Sequence, residues 1–168
     1  MVYKWEDVFK ADPDTIYGLD LSRNKLTDVP EELKNFERLK ILNLGKNKLN
    51  DLPAYIGDMD SLKELNVQKN KLLAFPIEIC RLENLEKLII NRNFFHSLPE
   101  CIEGAINLNY IDLYDNPIKS LPESLTRMEN LEKIDFSGIQ FGPSFQEKWF
   151  KRLPDVELVF DNPCDCME

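Results

Sequence analysis

The sequence predicts a single α/β domain, a right-handed solenoid of parallel coils with a concave sheet, an irregular or 3-10 convex side and helical caps. Three observations predict it. An aliphatic residue recurs every 23 positions from Ile16, at Leu39, Leu62, Leu85, Leu108 and Leu131. An asparagine keeps the same spacing, at Asn24, Asn47, Asn70, Asn93 and Asn116. So does a proline, at Pro30, Pro53, Pro76, Pro99 and Pro122, which places half of the ten prolines on one repeat position. A period of this length marks an array in which each unit is one supersecondary element.

Within the unit that begins at Leu39, apolar and polar residues alternate through Leu42 and Leu44, as in a strand with one face inward. Asn47 falls where the chain must bend, and its amide can satisfy backbone groups that the bend would strand, in its own turn and in the next coil. Leu49 and Leu52 return to the core, and Pro53 ends the strand and starts a return segment with Ile56 and Met59 inward. No unit can bury its apolar side alone; stacking makes one continuous core.

The pattern LxxLxLxxNxLxxLPxxLxxLxx resembles the leucine-rich repeat family, in particular the 23-residue LPxxL type of Ras-suppressor-like scaffolds and many bacterial repeat proteins. The resemblance runs from Ile16 to Gly138, giving five full repeats and a degenerate sixth in which Ile139 takes the asparagine position. Leu153–Phe160 looks like the closing segment of bacterial members. The resemblance implies a rigid scaffold that binds a protein on its concave face.

The ends are expected to cover the core. Residues 1–15 read as an N-terminal helical cap, with Trp5, Val8 and Phe9 at helical spacing and Pro13 ending the segment. Residues 139–168 read as a C-terminal cap: a helix carrying Phe145, Trp149 and Leu153, an edge strand with Val156, Leu158 and Phe160, and a polar tail. Ser144 to Glu147 has the form of a capping box at the start of that helix. The tail residues Asn162 to Cys166 are similar to the start of the cysteine-rich cap of extracellular family members, with shortened spacing and no downstream cysteines.

Composition narrows the function. With 21 Lys+Arg against 30 Asp+Glu the formal net charge is −9, which argues against a nucleic-acid binder or an anionic-membrane binder. No segment has the apolar length of a membrane span, and the first ten residues lack the core of a signal peptide. Four cysteines, Cys80, Cys101, Cys164 and Cys166, are too few and too unevenly placed for a disulfide framework, so a reducing compartment, the cytoplasm, is the expectation. A secreted form whose signal has been removed stays open. Cys80 and Cys101 flank the inward Ile79 and Ile102 and read as structural.

No catalytic constellation, metal cluster, P-loop or dinucleotide fingerprint is present, so the expectation is a non-enzymatic monomer without cofactor or metal. The single histidine, His96, lies just past a turn beside Phe95. The acidic residues of the return segments, such as Glu31, Glu100, Glu103 and Glu123, read as solvated convex surface.

Six strands would present a concave surface about 25–30 Å wide. Its outward positions are Asp20 and Ser22, Asn43 and Gly45, then Asn66 and Gln68 in the first three units. Later units differ: Ile89 and Asn91, then Tyr110, Asp112 and Tyr114, with Phe94 where earlier units carry Lys25, Lys48 and Lys71. Ile89, Asn91, Arg92, Phe94, Tyr110, Asp112 and Tyr114 therefore form the candidate partner-binding set, because rigid aromatics bury much area at low entropic cost. Arg23, Lys25, Lys46, Lys48, Lys69 and Lys71 form a basic ridge along the strand-to-turn edge. That ridge supports an alternative, a binder of polyanions or glycans.

Overall fold

The structure, a computed structural model, describes residues 3–4 and 12–161. Eight strands form one open sheet in chain order: β1 (Tyr3–Lys4), β2 (Gly18–Asp20), β3 (Ile41–Asn43), β4 (Glu64–Asn66), β5 (Lys87–Ile89), β6 (Tyr110–Asp112), β7 (Lys133–Asp135) and β8 (Glu157–Val159). Every neighbouring pair is parallel. The register stacks Leu19, Leu42, Leu65, Leu88, Ile111 and Ile134 in one inward row. Leu158 continues that row one residue later than the repeat, because a helix replaces the last 3-10 segment.

Each repeat proline lies just before a 3-10 turn: Glu31–Asn35, Ala54–Asp58, Ile77–Arg81, Glu100–Gly104 and Glu123–Arg127. Proline cannot continue the ladder, and its restricted φ starts the tight turn. Leu33, Ile56, Ile79, Ile102 and Leu125 point inward from these turns and are wholly buried. Strand leucines and turn aliphatics meet in a single hydrophobic cluster from Ile16 to Leu158.

The asparagines are buried at Asn47, Asn70, Asn93 and Asn116, and they tie each coil to the preceding one rather than to the next. Asn93 donates from Nδ2 to the Val67 and Ile90 carbonyls at 3.0 and 3.1 Å and accepts from the Leu72 N–H at 3.2 Å. Asn47 does the same two coils up, with the carbonyls of Leu21 and Leu44 and the N–H groups of Asn24 and Leu26. Asn24 is exposed and, among the described residues, makes no such side-chain bonds to a preceding coil.

Four features depart from the sequence expectation. Within the predicted N-terminal cap, β1 extends the sheet by pairing Tyr3 with Leu19; Trp5, Val8 and Phe9 lie outside the described residues, as do Cys164 and Cys166. The closing helix α1 (Pro143–Arg152) starts one residue before Ser144, with Gly142 as N-cap, so the capping box does not form. Proline suits the first helical position, where an N–H has no intrahelical partner and its fixed φ is already helical, so the helix starts at Pro143 and Ser144 falls inside it. Trp149 and Leu153 seal the core as expected, while Phe145 stacks on Phe141.

Third, Cys80 and Cys101 are joined in a disulfide, with Cα atoms 5.6 Å apart. The pairing escaped the sequence reading because its separation, 21 residues, is shorter than the repeat. One cysteine follows the inward residue of its 3-10 turn and the other precedes it, so adjacent turns bring them face to face. Gly104 permits this approach, since a Cβ there would lie 2.3 Å from the Cys80 carbonyl oxygen. Fourth, convex carboxylates are engaged rather than merely solvated. Glu100 accepts from the backbone N–H groups of Glu123 and Ser124, Glu103 binds Arg127, and Glu123 pairs with Lys148 and Arg152.

Replacing Asn93 by Ala strands two carbonyls and an N–H, and should cost about 2–4 kcal/mol in a urea melt, whereas Asn24→Ala should cost under about 0.5 kcal/mol. Reduction of the Cys80–Cys101 bond should lower the unfolding free energy by about 3 kcal/mol, and a Cys80→Ser/Cys101→Ser variant should melt at the same temperature with or without reductant.

Candidate functional site

The inward leucines leave alternate side chains of every strand on the concave face. Ile89 and Asn91 from β5 and its end stand beside Asp112 and Tyr114 from β6 and its end, in register. These four and Tyr110 are half-buried, while Arg92 and Phe94 are exposed at the turn edge, Phe94 to 49%. The seven candidate residues thus come from two adjacent coils and share one patch.

Their contacts are specific. Asn91 Nδ2 donates to the Asp112 carboxylate, which also accepts from the Tyr114 N–H at 3.0 Å. Burial pushes the Asp112 carboxyl above the usual carboxylate range; these two hydrogen bonds pull it back, and Asp135 on β7 pushes it up again. The tyrosine rings are covered by cations, Lys87 over Tyr110 at 5.5 Å and Arg92 over Tyr114 at 5.1 Å. The Arg92 guanidinium also pairs with Asp115 at 3.5 Å, and its pKa is raised chiefly by the hydrogen bond to Tyr114. Burial, reinforced by Asp112, Asp135 and Glu157, raises the Tyr110 phenol.

The basic ridge is two rows. Arg23, Lys46, Lys69 and Arg92 align at the end of the strands, and all four have left-handed backbones with φ between 53° and 61°. Backbone N–H groups of this row donate across to Gly45, Gln68, Asn91 and Tyr114, which sets each cation one coil from the next. Lys25, Lys48 and Lys71 form a second row, ended by Phe94. Repulsion acts within the first row: the Lys46 ammonium is held below its ordinary pKa, first by Arg23, then by desolvation, then by Lys69 and Arg92. Asp115 ends the row and neutralises only Arg92.

Sequence reasoning missed the cations that cover the tyrosines. It also missed an asparagine row on the opposite edge of the sheet, Asn84, Asn107 and Asn130, although the 23-residue spacing is legible. Among the described residues no group of three His, Cys, Asp or Glu side chains is gathered to hold a metal ion, and no helix is long and apolar enough to cross a membrane. His96 is exposed.

The sequence matches a family model described as leucine rich repeat over residues 14–72, and a second leucine rich repeat model over residues 107–128. No curated protein matches. Among solved structures, a leucine-rich repeat protein of Leptospira interrogans superposes with a TM-score of 0.78 at 26% identity, over 95% of this chain and 41% of that one. The plant peptide hormone receptor RGFR1, in complex with RGF2, gives a TM-score of 0.68 at 26% identity, over 88% of this chain and 24% of the receptor. Internalin C2 of Listeria monocytogenes shares the fold, with a TM-score of 0.72 at 19% identity over 86% of this chain and 61% of its own. The chain therefore spans about two-fifths of the Leptospira protein and a quarter of the plant receptor.

Arg23→Gln should raise the titration midpoint of Lys46, read from its side-chain NMR signals, and should raise it more than Arg92→Gln does. Equal shifts from the two would refute the order of repulsions within the row.

Proposed function

The chain is a leucine-rich repeat protein, and on that premise we propose that it is a rigid, non-catalytic scaffold that receives an acidic polypeptide segment. The segment lies along the basic turn edge and is anchored on Phe94, Tyr110 and Tyr114, with Ile89, Asn91, Arg92 and Asp112 completing the contact. The observation that carries this reading is the first ridge row, three of whose four cations lack an anionic partner among the described residues, next to an exposed phenylalanine. Like charges at coil spacing cost stability, and an anionic partner removes that cost while steering association. Exposed aromatic area beside it supplies a desolvated anchor. The related plant receptor, a receptor for a peptide hormone, supports a polypeptide as the ligand class.

One copy presents the whole surface, so the proposal needs only a monomer. The Cys80–Cys101 bond supports a compartment in which disulfides persist, in place of the cytoplasmic expectation. The ridge itself favours one second reading, a polyanion or glycan laid along the cations without use of the aromatics.

Affinity capture with the wild type, Phe94→Ala/Tyr110→Ala/Tyr114→Ala and Lys46→Gln/Lys69→Gln separates the two. The proposal expects a protein whose recovery falls at least about tenfold in the aromatic variant, the loss of one interface hot spot, and falls more mildly in the ridge variant. Recovery that ignores the aromatic variant yet collapses with salt and with the ridge variant would install the polyanion reading instead.

A further inference from the structure

The edge of the sheet opposite the basic ridge, where the chain enters each strand, changes character halfway along the solenoid. At one repeat position the residues run Arg38, Ser61, Asn84, Asn107 and Asn130; two positions on they run Tyr17, Lys40, Lys63, Glu86, Asn109 and Glu132. The first coils fold with arginine, serine and lysine there, so the repeat itself does not demand the amides and carboxylates of the later coils.

These later residues line a groove of about 380 Å³ formed by Asn84, Glu86, Asn107, Asn109, Asn130 and Glu132. Its asparagines are oriented by the backbone. Asn84, Asn107 and Asn130 donate from Nδ2 to the carbonyls of Asp60, Glu83 and Ile106, at 2.9, 2.8 and 2.8 Å. Each bond uses one of the two Nδ2 hydrogens on the previous coil and leaves the amide oxygen free to accept from a ligand. The groove therefore offers a row of amide oxygens, repeated at the coil spacing of about 4.8 Å and flanked by two carboxylates.

Charge balance within the groove is incomplete. Glu86 already holds an ammonium, that of Lys63 from the coil before. Glu132 has no such partner among the described residues, because Asn109 stands where a lysine would be needed. The lysines that follow Glu86 and Glu132 in the chain are engaged elsewhere: Lys87 lies over Tyr110, and Lys133 pairs with Glu157 at 2.7 Å.

We infer that this groove binds a guanidinium group, the arginine side chain of a polypeptide, between Glu132 and the amide oxygens of Asn107 and Asn130. A guanidinium is planar and offers five N–H donors in a fixed fork, which suits a carboxylate on one side and a row of carbonyl oxygens on the other. An ammonium presents a compact point charge and uses such a row less well. The net charge of −9 adds a long-range attraction for any cationic segment. This site is independent of the concave patch and of the reading given to it.

The test is an NMR titration of the whole chain with the capped peptide acetyl-Gly-Arg-Gly-amide, with acetyl-Gly-Lys-Gly-amide in parallel. The inference expects saturable shifts of the Asn84, Asn107 and Asn130 side-chain NH₂ signals with the arginine peptide. Glu132→Gln should weaken that binding about tenfold, the loss of a charge-assisted hydrogen bond, whereas Glu31→Gln, an equal change in net charge, should bind as the wild type does. Three results overturn it: no saturable shift of the groove amides, equal weakening by the two variants, or equal affinity for the lysine peptide.

Discussion

Every coil turns a sharp corner at the end of its strand, and the corner leaves backbone groups facing the core with no strand to pair them. The buried asparagine column answers this constraint, and the rest of the architecture depends on it. One amide serves carbonyls in two coils and N–H groups of the coil before, which a hydrophobic residue of the same volume could not do. Because each amide reaches back exactly one coil, it sets the stacking distance, and the stacking distance sets the register of the inward leucines. The column ends where Ile139 replaces asparagine, and there the chain stops making 3-10 coils and switches to α1.

A fold with one repeated constraint leaves its remaining positions free to vary by row. Neighbouring rows on this molecule carry opposite chemistry within a few ångströms. The turn edge is cationic through four coils, the mid-sheet row turns acidic at Asp112 and Asp135, and the strand-entry edge passes from lysine to asparagine and glutamate. Exposed ion pairs such as Lys151 with Glu147 contribute little to stability. The charge distribution is thus better understood as a set of surfaces offered to other molecules than as cement.

The fold was legible almost residue by residue, because each structural position is sampled five or six times and a single exception does not obscure the rule. Leucine at inward strand sites, asparagine at the bend and proline before the turn each report one physical requirement. What the period could not report lay off the period. The Cys80–Cys101 bond joins positions two residues out of phase, and β1 precedes the first repeat and pairs through its backbone. The capping box at Ser144 was a local signal overridden by its neighbour, since Pro143 had already begun the helix. At the candidate patch, the outward residues followed from strand alternation alone. The cations over Tyr110 and Tyr114 did not, because the reach and direction of long side chains are set by their neighbours in space.

The left-handed backbone at Arg23, Lys46, Lys69 and Arg92 carries a consequence for how this surface can change over time. A positive φ is costly for β-branched side chains and tolerable for unbranched or small polar ones, so valine, isoleucine and threonine are barred from the row. Its own last members show the permitted alternatives, Asp115 with a φ of 54° and Gly138 with 76°. Along this edge divergence is steered between cation, anion and no side chain at all, while the β-branched residues that favour strand pairing are kept out. A lineage carrying this solenoid can therefore retune the edge electrostatically, one coil at a time, without turning it into an aggregation seam.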